Sequence, residues 1–209
     1  CRQENVRPII GCEMYVAAKD RLLRKGESEG NPTHHLVLLA ETNEGYQNLS
    51  RLVSLAHLEG FYSKPRIDRE LLARHSRGLI GLAACLQGEV MERLVEEDVA
   101  GAVEAAGTYA DILGKDRFFL EFMDHGIEDQ KRANRYLAEV ARKTGLRIVA
   151  TNDVHYMKRE HAEAHEVLLC LQTQTVLSDP NRMRYPTPEF YYKSPDEMAR
   201  LAAAFPGSI

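Results

Sequence analysis

The chain has 209 residues, 44% hydrophobic and 28% charged, a balance that supports a buried core and excludes a disordered or fibrous chain. A net charge of −4 argues against a broad basic face gripping a nucleic-acid backbone, so a phosphodiester handled here must be held by metal ions. Four scattered cysteines without CxxC spacing, a polar N-terminus and no membrane-length apolar run argue against a zinc ribbon, a disulfide framework, a signal peptide and a membrane span, and a cytoplasmic location is expected.

In chain order, the polar opening residues run directly into a strand, so the chain reads as starting inside a domain. Strands are expected at 8–16, 36–40, 78–84, 118–122 and 147–151, each short, apolar and rich in β-branched or aromatic residues or flanked by turn residues. The glycine-bearing polar segment 20–32 reads as an exposed loop. Leu49, Leu52, Val53 and Ala56 form one helical stripe, stopped by Gly60, and Ala133, Leu137, Val140 and Ala141 form another, stopped by Gly145. The stretch 88–113 is expected to be helical with a break near Gly101. Strands alternating with helices predict an α/β architecture with a mainly parallel sheet, open or closed into a barrel. Beyond residue 177, Asp179-Pro180-Asn181, Pro186 and Pro188 punctuate the chain before a short helical pattern at 194–204.

The densest chemistry lies in Ala150-Thr-Asn-Asp-Val-His-Tyr, where an extended backbone would point Asp153 and His155 the same way, one oxygen and one nitrogen toward a single point. A metal pair and an Asp-based turn with a hydrogen-bonded histidine both fit this spacing. Glu13 is a carboxylate within an apolar strand, where burial without a cation is costly; a solvent-facing or ion-paired position is the alternative. Cys85 falls at a strand end as either a ligand or a small core residue, while Cys12 and Cys170 lie in apolar patterns and read as core. His34 and His35 open a strand, at the wrong end for a parallel-sheet site unless that strand is reversed. His125 follows its strand, as a site residue or part of an exposed turn; His57, His75 and His161 lie on polar stretches, and His165 is a helix-surface or pocket-wall residue. A set of Glu, His, Cys, Asp and His suits Zn2+ or Mn2+ better than magnesium alone, and clustered ions suit phosphoester hydrolysis.

Six ordered motifs spread over nearly the whole chain carry a family resemblance. They are Arg7-Pro-Ile-Ile-Gly-Cys-Glu-Met-Tyr-Val; His35-Leu-Val-Leu-Leu-Ala with Asn43-Glu-Gly-Tyr-Gln-Asn-Leu; Lys64-Pro-Arg-Ile-Asp; Gly78-Leu-Ile with Ala84-Cys-Leu-Gln-Gly-Glu; Ala150-Thr-Asn-Asp-Val-His-Tyr; and Ala164-His-Glu-Val-Leu-Leu-Cys. The chain resembles the PHP (polymerase and histidinol phosphatase) domains at the N-terminus of bacterial replicative DNA polymerase III alpha subunits.

The resemblance implies a distorted β/α barrel of PHP type with up to three Zn2+ or Mn2+ ions at the strand ends. It assigns ligand roles to Glu13, as a bridging carboxylate, and to His35, Cys85, Asp153 and His155, and holds His125 as a candidate substrate contact or additional ligand. In related members the cluster supports 3′–5′ exonuclease activity; in others the domain has lost its metals and serves as a scaffold. The family's His-x-His strand, a following acidic residue and an Asp-His pair belong upstream of this chain. The expectation is therefore an N-terminally truncated PHP domain over 1–176, inactive alone, and a connector at 177–209 into the polymerase palm region. Implied partners are DNA, the remaining polymerase domains, which use Mg2+, and replisome subunits such as the sliding clamp. A structural scaffold without hydrolytic activity is the competing reading, and a free-standing phosphatase is disfavoured by the Ala164 motif and the connector after it.

Overall fold

Period-two alternation in the first two strands sends one set of side chains to a helix-covered core and leaves the other on an open face. β1 (Gly11–Ala17) buries Met14 and Val16, and β2 (Thr33–Ala40) buries Leu36 and Leu38, while Glu13 and Val37 face each other across the opposite side. α1 (Asn43–Leu58), β3 (Arg66–Ile67), α2 (Arg69–Arg74) and β4 (Leu79–Leu82) follow. Next come α3 (Glu89–Val95), α4 (Val99–Leu113), β5 (Phe118–Phe122), α5 (Glu128–Thr144), β6 (Arg147–Ala150), α6 (Ala162–Thr173) and α7 (Pro195–Ala202). The computed structural model describes residues 2–24, 32–203 and 205; Cys1, most of the expected loop at 20–32, and the last residues of the expected helix and connector lie outside them.

One six-stranded sheet runs in the order β3-β1-β2-β4-β5-β6, and among the described residues it is open. The expected α/β class holds, with one reversal: β2 pairs antiparallel with both β1 and β4, whereas β1–β3, β4–β5 and β5–β6 are parallel. The start of β2 therefore lies at the same end of the sheet as the C-terminal ends of its neighbours. The core forms where Leu36, Leu38, Leu79, Phe118 and Leu120 meet Leu52 of α1, Ala106 of α4 and Leu137 and Val140 of α5.

Local signals set most boundaries. Gly145 ends α5 in the left-handed conformation at φ 70°, as its position predicts. The break expected near Gly101 lies earlier, at 96–98, because Glu97 turns left-handed and Asp98 caps α4 by accepting the Gly101 N–H at 2.8 Å; Gly101 belongs to the first turn of α4. β3, two residues long, is too short to show periodicity in the sequence. After α6 the chain folds back: Phe190 is buried, Tyr191 bridges to Tyr156, and Phe205 packs on Phe122 with ring centroids 4.6 Å apart. No helix among the described residues is long and apolar enough to cross a membrane.

Candidate metal centre

The reversal of β2 brings His35 to the strand ends that carry the other candidates. Glu13 and His35 sit on neighbouring strands, and the Glu13 Oε1 lies 2.9 Å from His35 Nδ1. That hydrogen bond holds the Glu13 carboxyl below the usual carboxylate range. The loop after β4 returns beside β2, where His35 N–H donates to Gln87 O at 2.8 Å, and so places Cys85 Sγ 3.7 Å from His35 Nδ1. Glu13, His35 and Cys85 each bring a ligand atom within 4.8 Å of the others.

Asp153 and His155 line the same cavity, of about 250 Å³, together with Gln130, Arg184, Tyr185 and Phe190. The reason differs from the sequence expectation. Residues 151–155 are not a strand, and Asp153 adopts φ 43°, so the two side chains do not project as an extended i, i+2 pair. Instead the left-handed turn aims Asp153, and His155 is fixed separately: its N–H donates to Phe190 O at 2.8 Å, its ring Nδ1 lies 2.7 Å from Asp153 O, and its Nε2 lies 2.6 Å from the Tyr185 hydroxyl. With Nδ1–H donated to a carbonyl, Nε2 is the nitrogen that carries the lone pair.

His125 stands apart from these five. It is 0% exposed, stacked on Phe190 at 4.1 Å, and does not line the cavity. Its Nε2–H donates to Asn152 O at 2.9 Å and its Nδ1 accepts from Gln130 Nε2 at 2.8 Å, so both nitrogens are engaged in the wall behind the site. Burial lowers its pKa, which favours this neutral form. His165 lies 5.8 Å from the His155 ring and 5.3 Å from Tyr185, part of an adjoining wall. His34 faces the other side of β2 and pairs with Glu92 at 2.8 Å. Cys170 is buried and Cys12 packs partly against the core, as their patterns predict.

The site's electrostatics fit a cation. The His35 Nε2 is buried without a hydrogen-bond partner. Burial pushes the Cys85 thiol up to about 11, and the carboxylates of Asp153, Glu13 and Glu121 add to the rise. Carboxylate, imidazole and thiol donors sharing one cavity match a borderline-soft divalent ion better than a hard one.

Glu121 escaped the sequence reading. It is the lone carboxylate of Phe118-Phe-Leu-Glu-Phe, the same signal that drew attention to Glu13, and at 2% exposure it is far more deeply buried than the Glu13 side chain at 42%. Burial pushes its carboxyl up to about 7. Tyr185 and Arg184 were also missed, because they arrive from a proline-punctuated segment that carries no periodic pattern.

A family model described as "PHP domain" matches residues 1–125. The DNA polymerase III subunit alpha of Thermus aquaticus is 51% identical over 197 residues, covering 94% of this chain and 16% of that protein. The proteins of the same name from Treponema pallidum and Helicobacter pylori are 43% and 42% identical, each covering 100% of this chain and 18% of the relative. The chain thus spans less than a fifth of the length of these relatives. Asp153 and His155 lie beyond the matched family model but within the span shared with the relatives.

Proposed function

Because the chain belongs to the PHP domain family, we propose that its cavity is a metal centre for phosphodiester hydrolysis, serving as a 3′–5′ exonuclease within a bacterial DNA polymerase III alpha subunit. The observation that carries this reading is the convergence of Glu13, His35 and Cys85 within 4.8 Å, with Asp153 and His155 on the same cavity wall. These five residues are the proposed ligands, and Zn2+ or Mn2+ the proposed ions. Such ions supply Lewis acidity toward a phosphoryl oxygen and lower the pKa of a water molecule.

The protein's own contribution is to hold and orient. Glu13 and Asp153 present anionic oxygens, and His35 and His155 present imidazole nitrogens whose ring positions are set by hydrogen bonds. Cys85 gives up its proton on ligation, so ion affinity falls as pH falls. Arg184, on the rim, places a cation beside the position of an anionic substrate. In this reading residues 177–209 lead toward the polymerase palm, whose Mg2+-dependent chemistry lies elsewhere in the polypeptide. The partners are DNA and the replisome of the bacterial cytoplasm.

The test is metal content per polypeptide together with release of 3′-terminal nucleotides by the full-length protein, wild type and Glu13→Ala. Loss of both bound ion and nuclease activity in Glu13→Ala is expected; unchanged nuclease activity sinks the hydrolytic role. A structural brace without hydrolytic activity is the second reading. The observation favouring it is that Glu13 Oε1 hydrogen-bonds His35 Nδ1, and the Tyr185 hydroxyl hydrogen-bonds His155 Nε2, contacts that tie the cavity walls together. It predicts a variant that loses stability and polymerase activity together, with no exonuclease activity in the wild type.

A further inference from the structure

We propose that Glu121 is a positioning residue for the metal centre, a buried carboxylate that clamps together the two loops bearing Cys85 and Asp153. This rests on reading the cavity as a metal site. Glu121 is the penultimate residue of β5, which lies between β4 and β6 in the sheet. Its Oε2 accepts the backbone N–H of Ala84, the residue before Cys85, and its Oε1 accepts the hydroxyl of Thr151, two residues before Asp153, at 2.8 Å. One side chain thus joins the residues just past the ends of both neighbouring strands, where each ligand-bearing loop begins.

The backbone at those loops needs such a hold. Ala84 sits at φ 67°, a left-handed conformation that is costly for alanine, and Asp153 at φ 43°, one that aspartate tolerates better but that is still uncommon for a residue other than glycine. Ala84 is itself 1% exposed, so its N–H has no access to water, and the carboxylate supplies its acceptor. Both Glu121 oxygens are engaged in this way, which separates its role from the five proposed ligands. Its partners are a backbone N–H and a hydroxyl rather than a cation, an arrangement with a structural cost that a solvent-facing strand position would not carry.

The experiment uses the full-length polypeptide, with Glu121→Ala, Glu121→Gln and Thr151→Val. Zn2+ affinity is measured by competition with a chromophoric chelator, and the exposure of Cys85 by iodoacetamide labelling of chelator-treated protein, read by peptide mass mapping. Glu121→Ala is expected to weaken Zn2+ binding about 10–100-fold, the range for residues that orient ligands, and to raise the Cys85 labelling rate. Glu121→Gln should recover most of the Zn2+ affinity and, once the labelling rate is corrected for thiolate fraction from its pH profile, most of the shielding of Cys85, because its amide oxygen still accepts the Ala84 N–H and its NH2 group can donate to the Thr151 oxygen. Thr151→Val removes one arm of the clamp and gives an intermediate loss; it decides the matter if Glu121→Ala does not fold. Wild-type affinity and labelling in Glu121→Ala, or equal losses in the Ala and Gln variants, overturn the proposal. If the wild-type protein binds no Zn2+, the metal reading fails, while the labelling of Cys85 still decides whether Glu121 holds its loop.

Discussion

Glu13 and Glu121 look alike in the sequence, each a single carboxylate in an apolar strand, and the structure gives them opposite surroundings. Glu13 is half exposed and stabilised as an anion by His35. Glu121 is enclosed, and burial raises its carboxyl from 4.5 to about 7. Between those values the folded chain holds a proton that the unfolded chain has released, so stability falls as pH rises from about 4.5 to about 7. The loss for metal-free protein is on the order of 3 kcal/mol, and Glu121→Gln should flatten that slope. Urea unfolding of chelator-treated protein across this pH range measures it; an unchanged slope in the variant assigns the effect to another group. His155 offers a second check at this scale. Its Nδ1–H tautomer, set by Asp153 O, should appear in 15N chemical shifts of the metal-free protein, and the opposite tautomer would exclude Nε2 as the ligand atom.

Among the elements, the orientation of β2 has the largest consequence for the site. A histidine at the start of a strand lies far from the C-terminal ends of parallel neighbours, yet antiparallel pairing with β1 and β4 carries His35 to those ends. The helix that follows depends on close backbone approach. Gly45, in the first turn of α1, faces the turn before β4, and a Cβ there would stand 1.8 Å from Gly78 O. Gly45→Ala should therefore destabilise the fold by about 1–3 kcal/mol through overpacking, read as a lower urea midpoint with unchanged m. A variant as stable as the wild type would show that the turn moves aside without cost. Gly78 is constrained too, by its left-handed φ of 72°.

Across the whole molecule, the segment after α6 acts on the site from a distance in sequence. Phe190, 3% exposed, stacks on His125, and its carbonyl holds the His155 N–H, while Thr187 donates its hydroxyl to His125 O at 2.7 Å. Asn152 is pinned to Tyr191 O and to Lys193 Nζ, at 2.6 and 2.9 Å. Removing this support should loosen both His155 and the Asp153 turn. Phe190→Ala is expected to cost about 3–5 kcal/mol of stability and to weaken Zn2+ binding in the protein that remains folded. Denaturation and chelator competition test the two effects separately, and full ion affinity in the variant would show that the segment merely covers the site.

The sequence by itself determined the α/β class, the helical stripes of α1 and α5, the Gly145 stop and the candidates Glu13, Cys85, Asp153 and His155, because periodicity, turn residues and unusual polar groups are local properties. The motifs beyond them made the family legible. Only tertiary structure decided that β2 runs backward, that Asp153 turns left-handed, that His125 lies behind the wall, and that Glu121 rather than Glu13 is the enclosed carboxylate. Each of these depends on which strands and segments become neighbours. That choice is made by burying apolar faces across long sequence separations, and no local pattern records it.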